Sequence, residues 1–184
     1  MYKISLTGID NCGKTSIVRS LSKIQGISTI HLTTPKNNNS IIARCLSRTV
    51  NRLANFAEEG NLRYLTAFAY LLHLVPYYFE ERIKSQSTIL ISDRDPILDT
   101  LCYSMFYQPQ SFSKVIRPTL KFLLEQTFNY PNSYYYLDVS PETSVKRNSK
   151  YPQIHDKIGH LYKLKELYEE EISKVKEIKI PVIR

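Results

Sequence analysis

The stretch Gly8-Ile9-Asp10-Asn11-Cys12-Gly13-Lys14-Thr15 decides the fold, and it directly follows an apolar run at residues 2–6. Its spacing, a glycine, four residues and then Gly-Lys-Thr, is that of a phosphate-binding P-loop. The glycines permit positive φ and close approach to a ligand, and the turn points backbone amides inward to form an anion site. The predicted phosphate-binding set is Gly8, Ile9, Asp10, Asn11, Cys12, Gly13, Lys14, Thr15 and Ser16.

The residues on either side of the loop supply the strand and the helix that the motif requires. Ile4 and Leu6 alternate with polar residues, as in a strand, and Val18 and Leu21 fall on one helical face. A helix that starts at the loop directs its positive dipole end at bound phosphates. In such a loop the ammonium group of the lysine, here Lys14, binds the β- and γ-phosphates, and the hydroxyl of the threonine, here Thr15, can bind Mg²⁺.

Strands and helices alternate along the rest of the chain. The patterns predict further strands at residues 28–32, 88–92, 133–139 and 178–183. They predict helices at about 15–25, 41–57, 62–85 with a kink at Pro76, 97–107, 112–128, 141–148 and 157–177. Alternation of this kind predicts a three-layer α/β/α P-loop NTPase fold with a five-stranded parallel sheet. We expect one domain over residues 1–184, with a short lid around 147–157.

Composition and charge narrow the function classes. The net charge of +8 comes from scattered basic residues, which favours a basic cleft for nucleotides over nucleic-acid binding. Three cysteines without metal or disulfide spacing indicate a reducing cytoplasm. The first strand begins at once, which leaves no room for a signal peptide, and no apolar stretch reaches membrane-spanning length.

Asp93 and Arg94 follow the apolar strand predicted at 88–92. Ligands of open α/β sheets bind at the carboxyl ends of strands, so an acid at this position is the expected magnesium partner of Thr15. Arg94 can bind a second phosphate through its planar, two-pronged guanidinium. The alternative is a surface ion pair at a strand end.

Other candidates have equally ordinary alternatives. A carboxylate beside phosphates is unfavourable unless it binds a metal ion or a substrate hydroxyl. Asp10 is therefore a candidate for orienting the acceptor. The alternative is that its charge only interacts favourably with the dipole of the following helix. Arg147 precedes a polar stretch and belongs either to a basic lid or to a solvated helix face. On pattern alone, Phe68 is more typical of a core residue than of a ring that stacks on a base.

Three stretches together resemble the thymidylate kinase family of nucleoside monophosphate kinases and the wider deoxynucleoside kinase group. They are residues 8–15, Ile91-Ser92-Asp93-Arg94, and the segment from Tyr136 to Arg147. The resemblance covers nearly the whole chain. It implies an ATP- and Mg²⁺-dependent enzyme that transfers a phosphoryl group to a nucleoside monophosphate, with dTMP as the first expected acceptor. The oligomeric state stays open, and a homodimer is one possibility.

The resemblance also assigns roles to residues. Lys14, Arg94 and Arg147 would act in catalysis, Thr15 and Asp93 would bind Mg²⁺, and the acceptor would be bound by Asp10, Lys36, Phe68, Arg94 and Tyr103. The chain departs from the family pattern at several positions. Leu72 stands where the family has a base-contacting arginine, Asp95 where it has a tyrosine, Asn11 where it has a glycine, and the chain stops at Arg184.

These departures keep other functions open. A nucleoside acceptor would need a carboxylate base, for which the sequence offers Asp10 or Asp95. A nucleotide-binding regulator without phosphoryl transfer is a second alternative, and nucleic-acid binding is a third.

Overall fold

The computed structural model describes residues 1–32, 41–60, 62–108, 110–147 and 157–184, without the side chains of 110–114. Three predicted features lie outside these residues. They are Ser40, a residue type that could cap the helix predicted at 41–57, the acceptor-binding candidate Lys36, and most of the predicted lid. The strands are β1 (Tyr2–Thr7), β2 (Ile27–His31), β3 (Ile89–Asp93), β4 (Ser133–Tyr136) and β5 (Val182–Ile183). The helices are α1 (Lys14–Leu21), α2 (Ile41–Glu59), α3 (Arg63–Leu72), α4 (Leu74–Lys84), α5 (Leu98–Tyr107), α6 (Gln110–Thr127), α7 (Pro141–Arg147) and α8 (Ile158–Glu177).

The five strands form one parallel sheet in the order β2-β3-β1-β4-β5. The predicted fold class is therefore confirmed. Alternate residues of β3 enter different layers: Leu90 packs in a cluster with α4, α5 and α6, and Ile91 packs with Val18 of α1. Because β1 and β3 are neighbours, the loop that leaves β1 and the acid that ends β3 lie at the same edge of the sheet.

Asp95 fixes the connection between β3 and α5. One of its carboxylate oxygens accepts hydrogen bonds from the Ile97 and Leu98 amides and from the Tyr134 hydroxyl, at 2.8–3.0 Å. The other accepts the Ser5 hydroxyl at 3.0 Å. The residue is fully buried, so these donors replace the water that an ionised carboxylate would otherwise need.

The sequence predicts one helix over 62–85 with a kink at Pro76, but the structure has two helices, α3 and α4. The predicted position of the kink was wrong. Pro76 lies in the first turn of α4, and the interruption is at His73, one turn earlier. Pro76 has no N–H for the carbonyl four residues before it, and its ring crowds the same group. The helical ladder therefore stops beside Leu72 rather than at the proline.

The buried face of α2 differs from the one that its sequence pattern predicts. Helical spacing of the large apolar residues predicts burial of Ile41, Ile42, Cys45, Leu46, Val50 and Leu53. Ile41 and Ile42 are 73% and 65% exposed. The helix packs against α3 and α4 through small residues, and the buried set is Ala43, Ser47, Val50, Ala54 and Ala57. Small side chains let the helix backbones approach, whereas Leu46 and Leu53 are only half-buried.

Three element ends differ from the predicted bounds. Helix α1 ends at Leu21 rather than near residue 25, because amides after it bond to carbonyls three residues back, as Lys23 does to Ser20 and Ile24 to Leu21. Strand β4 ends at Tyr136 and β5 comprises two residues.

Among the residues described, none of the helices combines the length and the apolar character needed to cross a bilayer.

Replacing Asp95 by alanine tests the buried connection. Four donors would lose their acceptor, so we expect Asp95→Ala to lower the free energy of unfolding by about 3 kcal/mol in urea titrations. Asp138→Ala is the matched control, because Asp138 makes partly exposed ion pairs with Lys165 and Arg184 and should cost less than about 1 kcal/mol. Equal losses in the two variants would contradict the role given to Asp95.

His73 should make stability depend on pH. Burial, helped by the charge of Arg94, lowers the pKa of His73 from 6.5 to about 4. Between these values the unfolded chain binds a proton that the native chain does not, so the free energy of unfolding falls as pH falls through this window. We expect the wild type to lose about 2 kcal/mol relative to His73→Gln between about pH 7 and pH 4.5. Parallel pH profiles of the two proteins would contradict this pKa shift.

Candidate functional site

A cleft of about 1040 Å³ opens at the carboxyl ends of β1 and β3. Most of the residues predicted from the sequence to form the site line it. They are Asp10, Asn11, Cys12, Gly13, Lys14, Thr15, Ser16, Asp93, Arg94 and Arg147. The structure thus brings the loop, the acid and both arginines together around one volume.

The remaining predicted site residues have other positions. Gly8 and Ile9 do not line the cleft, and Ile9 is 1% exposed beneath the loop. Tyr103 is 2% exposed and contacts Asp10 from below. Phe68 is 52% exposed and is not among the residues that line the cleft. It is therefore neither the core residue that its spacing predicts nor, in this structure, a wall of the cleft.

The loop conformation requires glycine at its first position. Gly8 has φ +137, and a Cβ there would lie 2.8 Å from the Leu137 carbonyl oxygen at the end of β4. Gly13, with φ +106, starts α1 from the left-handed region. Asn11 has φ +57, a conformation that asparagine tolerates better than most residues, so it can occupy the position where the resembled family has glycine.

The Lys14 ammonium lies inside the loop. Its Nζ donates to the Gly8 and Ile9 carbonyl oxygens, both at 2.7 Å, and contacts the Cys12 sulfur at 3.2 Å. The residue is 5% exposed. A buried ammonium with carbonyl partners is a concentrated positive charge at the base of a concave anion site.

Asp93 and Thr15 provide oxygen ligands beside the loop. The Thr15 hydroxyl donates to Asp93 Oδ2 at 2.7 Å, and His31 Nδ1 lies 3.0 Å from the same oxygen. Burial opposes ionisation, but the hydrogen bond from His31 and the charge of Lys14 still lower the pKa of Asp93. Within the described chain, Asp93 Oδ1 is buried and has no hydrogen-bond partner.

This arrangement fits a magnesium ion. Mg²⁺ prefers oxygen ligands and is commonly bound by one or two protein groups together with substrate phosphates. Two such oxygens lie at the edge of the phosphate loop. They are the Thr15 hydroxyl and Asp93 Oδ1, which has no hydrogen-bond partner in the described part of the chain. When bound, the ion would neutralise charge on the phosphates.

Arg94 lines the cleft beside Asp10. It forms an ion pair with Asp10 Oδ1, while the Tyr103 hydroxyl donates to Asp10 Oδ2 at 2.7 Å. The Arg94 guanidinium carbon lies 4.7 Å from the centre of the Tyr103 ring. The Arg94 backbone has φ +79, a conformation uncommon for a side-chain-bearing residue and typical of functional sites.

Helix α7 supports the loop from the opposite side. Arg147 Nη1 donates to the Cys12 carbonyl oxygen at 3.0 Å. The Ser144 hydroxyl donates to the Asp10 carbonyl oxygen at 2.6 Å. Arg147 therefore lies at the mouth of the phosphate loop, where a cation can approach a bound polyphosphate.

Sequence reasoning missed several residues of the cleft. Asn51, Asn55 and Glu58 line it from α2, and Tyr70 and His73 line it from α3 and its C-terminal end. The three α2 positions are polar at intervals of four and three residues, which marks one helix face and could have indicated this wall. His31 could have been found from the register that pairs it with Asp93, but that register requires the strand order.

Asp95 does not belong to the cleft. It was one of two carboxylates suggested by the sequence as a base for a hydroxyl acceptor. Its oxygens instead hold the start of α5, as described above, and it does not line the cleft. Of those two carboxylates, only Asp10 faces the site.

Comparison with known proteins gives the fold and the family of the chain. A search of curated proteins finds no match to the sequence. Among solved structures, the deoxyadenosine kinase from M. mycoides with bound dATP has a TM-score of 0.64 at 16% identity, covering 98% of this chain and 90% of that one. The same enzyme with the products dCMP and a flexible dCDP gives 0.68 at 17% identity, with coverages of 99% and 90%.

These identities are low, so the two structures support the fold alone. A family model described as thymidylate kinase matches residues 6–183. That match runs from the end of β1, through the phosphate loop and Asp93-Arg94, to the last strand. The chain belongs to the thymidylate kinase family.

Proposed function

We propose that the protein transfers the γ-phosphoryl group of ATP to a nucleoside monophosphate, with dTMP the first acceptor to test. Membership of the thymidylate kinase family supports nucleotide phosphoryl transfer. The observation that carries the proposal is the placement of Arg94 and Asp10 in the same cleft as Lys14, Thr15 and Asp93. A donor polyphosphate on the loop would then meet an acceptor phosphate held at Arg94.

The residues of the cleft would act by positioning and charge. Lys14 would exchange its carbonyl partners for the β- and γ-phosphates, and the loop amides would bind the same oxygens. Arg94 would hold the acceptor phosphate through its planar fork. Arg147 would approach the transferring group from the side of α7. An acceptor that is already a phosphate anion needs little help from a general base.

The part of the cleft that α3 forms near Arg94 bears on the identity of the base. Phe68, to which the family resemblance assigns acceptor binding, does not line the cleft, and Leu72 occupies the family's arginine position. Tyr70, whose ring is stacked on that of Tyr103 at 4.8 Å between centroids, and His73 line the cleft in this region. Family membership supports dTMP as the first acceptor to test, and Tyr70 would offer an aromatic surface for its base.

A nucleoside acceptor is the second candidate, and one observation favours it. The Asp10 carboxylate lines the cleft beside Arg94 and accepts the Tyr103 hydroxyl. If a bound acceptor displaced Arg94 or Tyr103 from it, this carboxylate could take a proton from a 5′-hydroxyl. The structures of similar fold are those of a deoxyadenosine kinase.

An acceptor survey with Asp10→Asn separates the two candidates. We expect the wild type to release ADP with nucleoside monophosphates, and Asp10→Asn to retain kcat within about tenfold, because that reaction needs little base catalysis. If deoxynucleosides are the acceptors, the same variant should lose about 100-fold or more in kcat. Asp138→Asn, with the same charge change on the surface, is the control. Tight ATP binding without transfer to any acceptor would contradict both candidates and favour a nucleotide-binding regulator.

Lys14→Ala tests the donor site. Loss of the charge that faces the transferring phosphates should lower kcat/KM for ATP by at least about 100-fold. Circular dichroism and urea unfolding should show that the fold persists. Lys146→Ala removes the same charge from an exposed position of α7 outside the cleft and should leave the kinetics as in the wild type. Unchanged activity in Lys14→Ala would refute the donor assignment.

A further inference from the structure

His31 links the end of β2 to the acid at the end of β3. The two residues face each other in the register of the parallel pair, and their side chains are 4% and 5% exposed. His31 Nδ1 lies 3.0 Å from Asp93 Oδ2. His31 does not line the cleft, and it belongs to no motif of the sequence.

The hydrogen-bond chemistry assigns a direction to this contact. An ionised carboxylate only accepts hydrogen bonds, so the Nδ1 atom of His31 carries the proton and donates. Asp93 Oδ2 thus receives two donors, the His31 ring and the Thr15 hydroxyl. Oδ1 receives none among the described residues, although it is buried. Two donors on one oxygen fix the rotation of the carboxylate and leave the other oxygen to a ligand.

We propose that His31 is a positioning residue, which holds Asp93 so that Oδ1 is presented to the magnesium ion of the bound nucleotide. The inference rests on the proposed function, since it takes Asp93 to face Mg²⁺-ATP. Groups that hydrogen-bond to metal ligands orient them, and their loss typically weakens metal binding or activity by about 10–100-fold. His31 would act on the metal through Asp93 without touching it.

A packing role alone would not need an imidazole at this position. Burying a polar ring costs free energy unless it is hydrogen-bonded, and an aliphatic side chain would fill the space without that cost. The strand residue before it, Ile30, is fully buried in this manner. The hydrogen bond to Asp93 is therefore the feature that distinguishes His31 from its neighbours on β2.

The test compares two amide variants that differ in reach. The side-chain nitrogen of asparagine can occupy nearly the place of Nδ1, whereas that of glutamine lies one methylene further out. His31→Asn should keep the hydrogen bond and His31→Gln should lose it, although both are polar and similar in size. Ile30→Val is the control for general loosening of β2, with an expected stability cost of about 1 kcal/mol.

The readout is ATP binding by calorimetry, first in EDTA and then at increasing Mg²⁺ concentrations. We expect all four proteins to bind ATP equally in EDTA. His31→Gln should need about 10–100-fold more Mg²⁺ than the wild type to reach its tightest ATP binding, while His31→Asn and Ile30→Val stay within about threefold.

Two results would overturn the proposal. One is a His31→Gln protein with the magnesium dependence of the wild type. The other is equal weakening of ATP binding with and without Mg²⁺, which would indicate damage to the loop rather than to the metal site. Because the readout is binding, a wild type that transfers phosphate to no acceptor would contradict the proposed function, and the calorimetry would still decide the role of His31.

Discussion

The burial of the Lys14 ammonium among the carbonyl oxygens of its own loop is the interaction on which the site depends. The loop can close around this charge because Gly8 passes against the backbone of Leu137, where a Cβ would lie 2.8 Å from the carbonyl oxygen. That approach connects the first strand to β4 and leaves the helix start of α1 facing the cleft. This one turn therefore links three features of the site: the pairing of β1 with β4, the shape of the loop, and the direction in which the dipole of α1 points.

The charged groups around the cleft already have hydrogen-bond or ion-pair partners within the protein. Asp10 is paired with Arg94, Asp93 accepts from His31 and Thr15, and Lys14 is bound to carbonyl oxygens. Binding a polyphosphate must therefore exchange existing contacts for new ones, and the net gain is smaller than the charges alone would give. The exchange also favours specificity, because an anion that cannot replace every lost contact leaves a buried charge unpaired.

The parts of the structure that could be predicted from the sequence are those set by local chemistry. The glycine spacing of the loop, the apolar run before Asp93 and the alternation of strands and helices each follow from neighbours in the chain. The buried face of α2 could not be predicted, because it depends on how closely α3 and α4 approach and not on the hydrophobicity of Ile41 or Ile42.

The positions of Phe68 and His31 also could not be predicted from local sequence chemistry. Helical spacing places Phe68 on an apolar stripe, but the break at His73 and the packing of α3 leave it half exposed. In the sequence, His31 is an ordinary residue of a predicted strand. Only the register between β2 and β3 shows that it lies opposite Asp93. Both depend on the pairing of distant elements, which a single sequence does not contain.

The most direct test of the account is a crystal structure with Mg²⁺ and a non-hydrolysable ATP analogue. It should show the polyphosphate inside the loop of residues 8–15, with Lys14 Nζ moved from the Gly8 and Ile9 carbonyl oxygens to the β- and γ-phosphates. A nucleotide bound elsewhere, or bound here while Lys14 keeps its carbonyl partners, would contradict it.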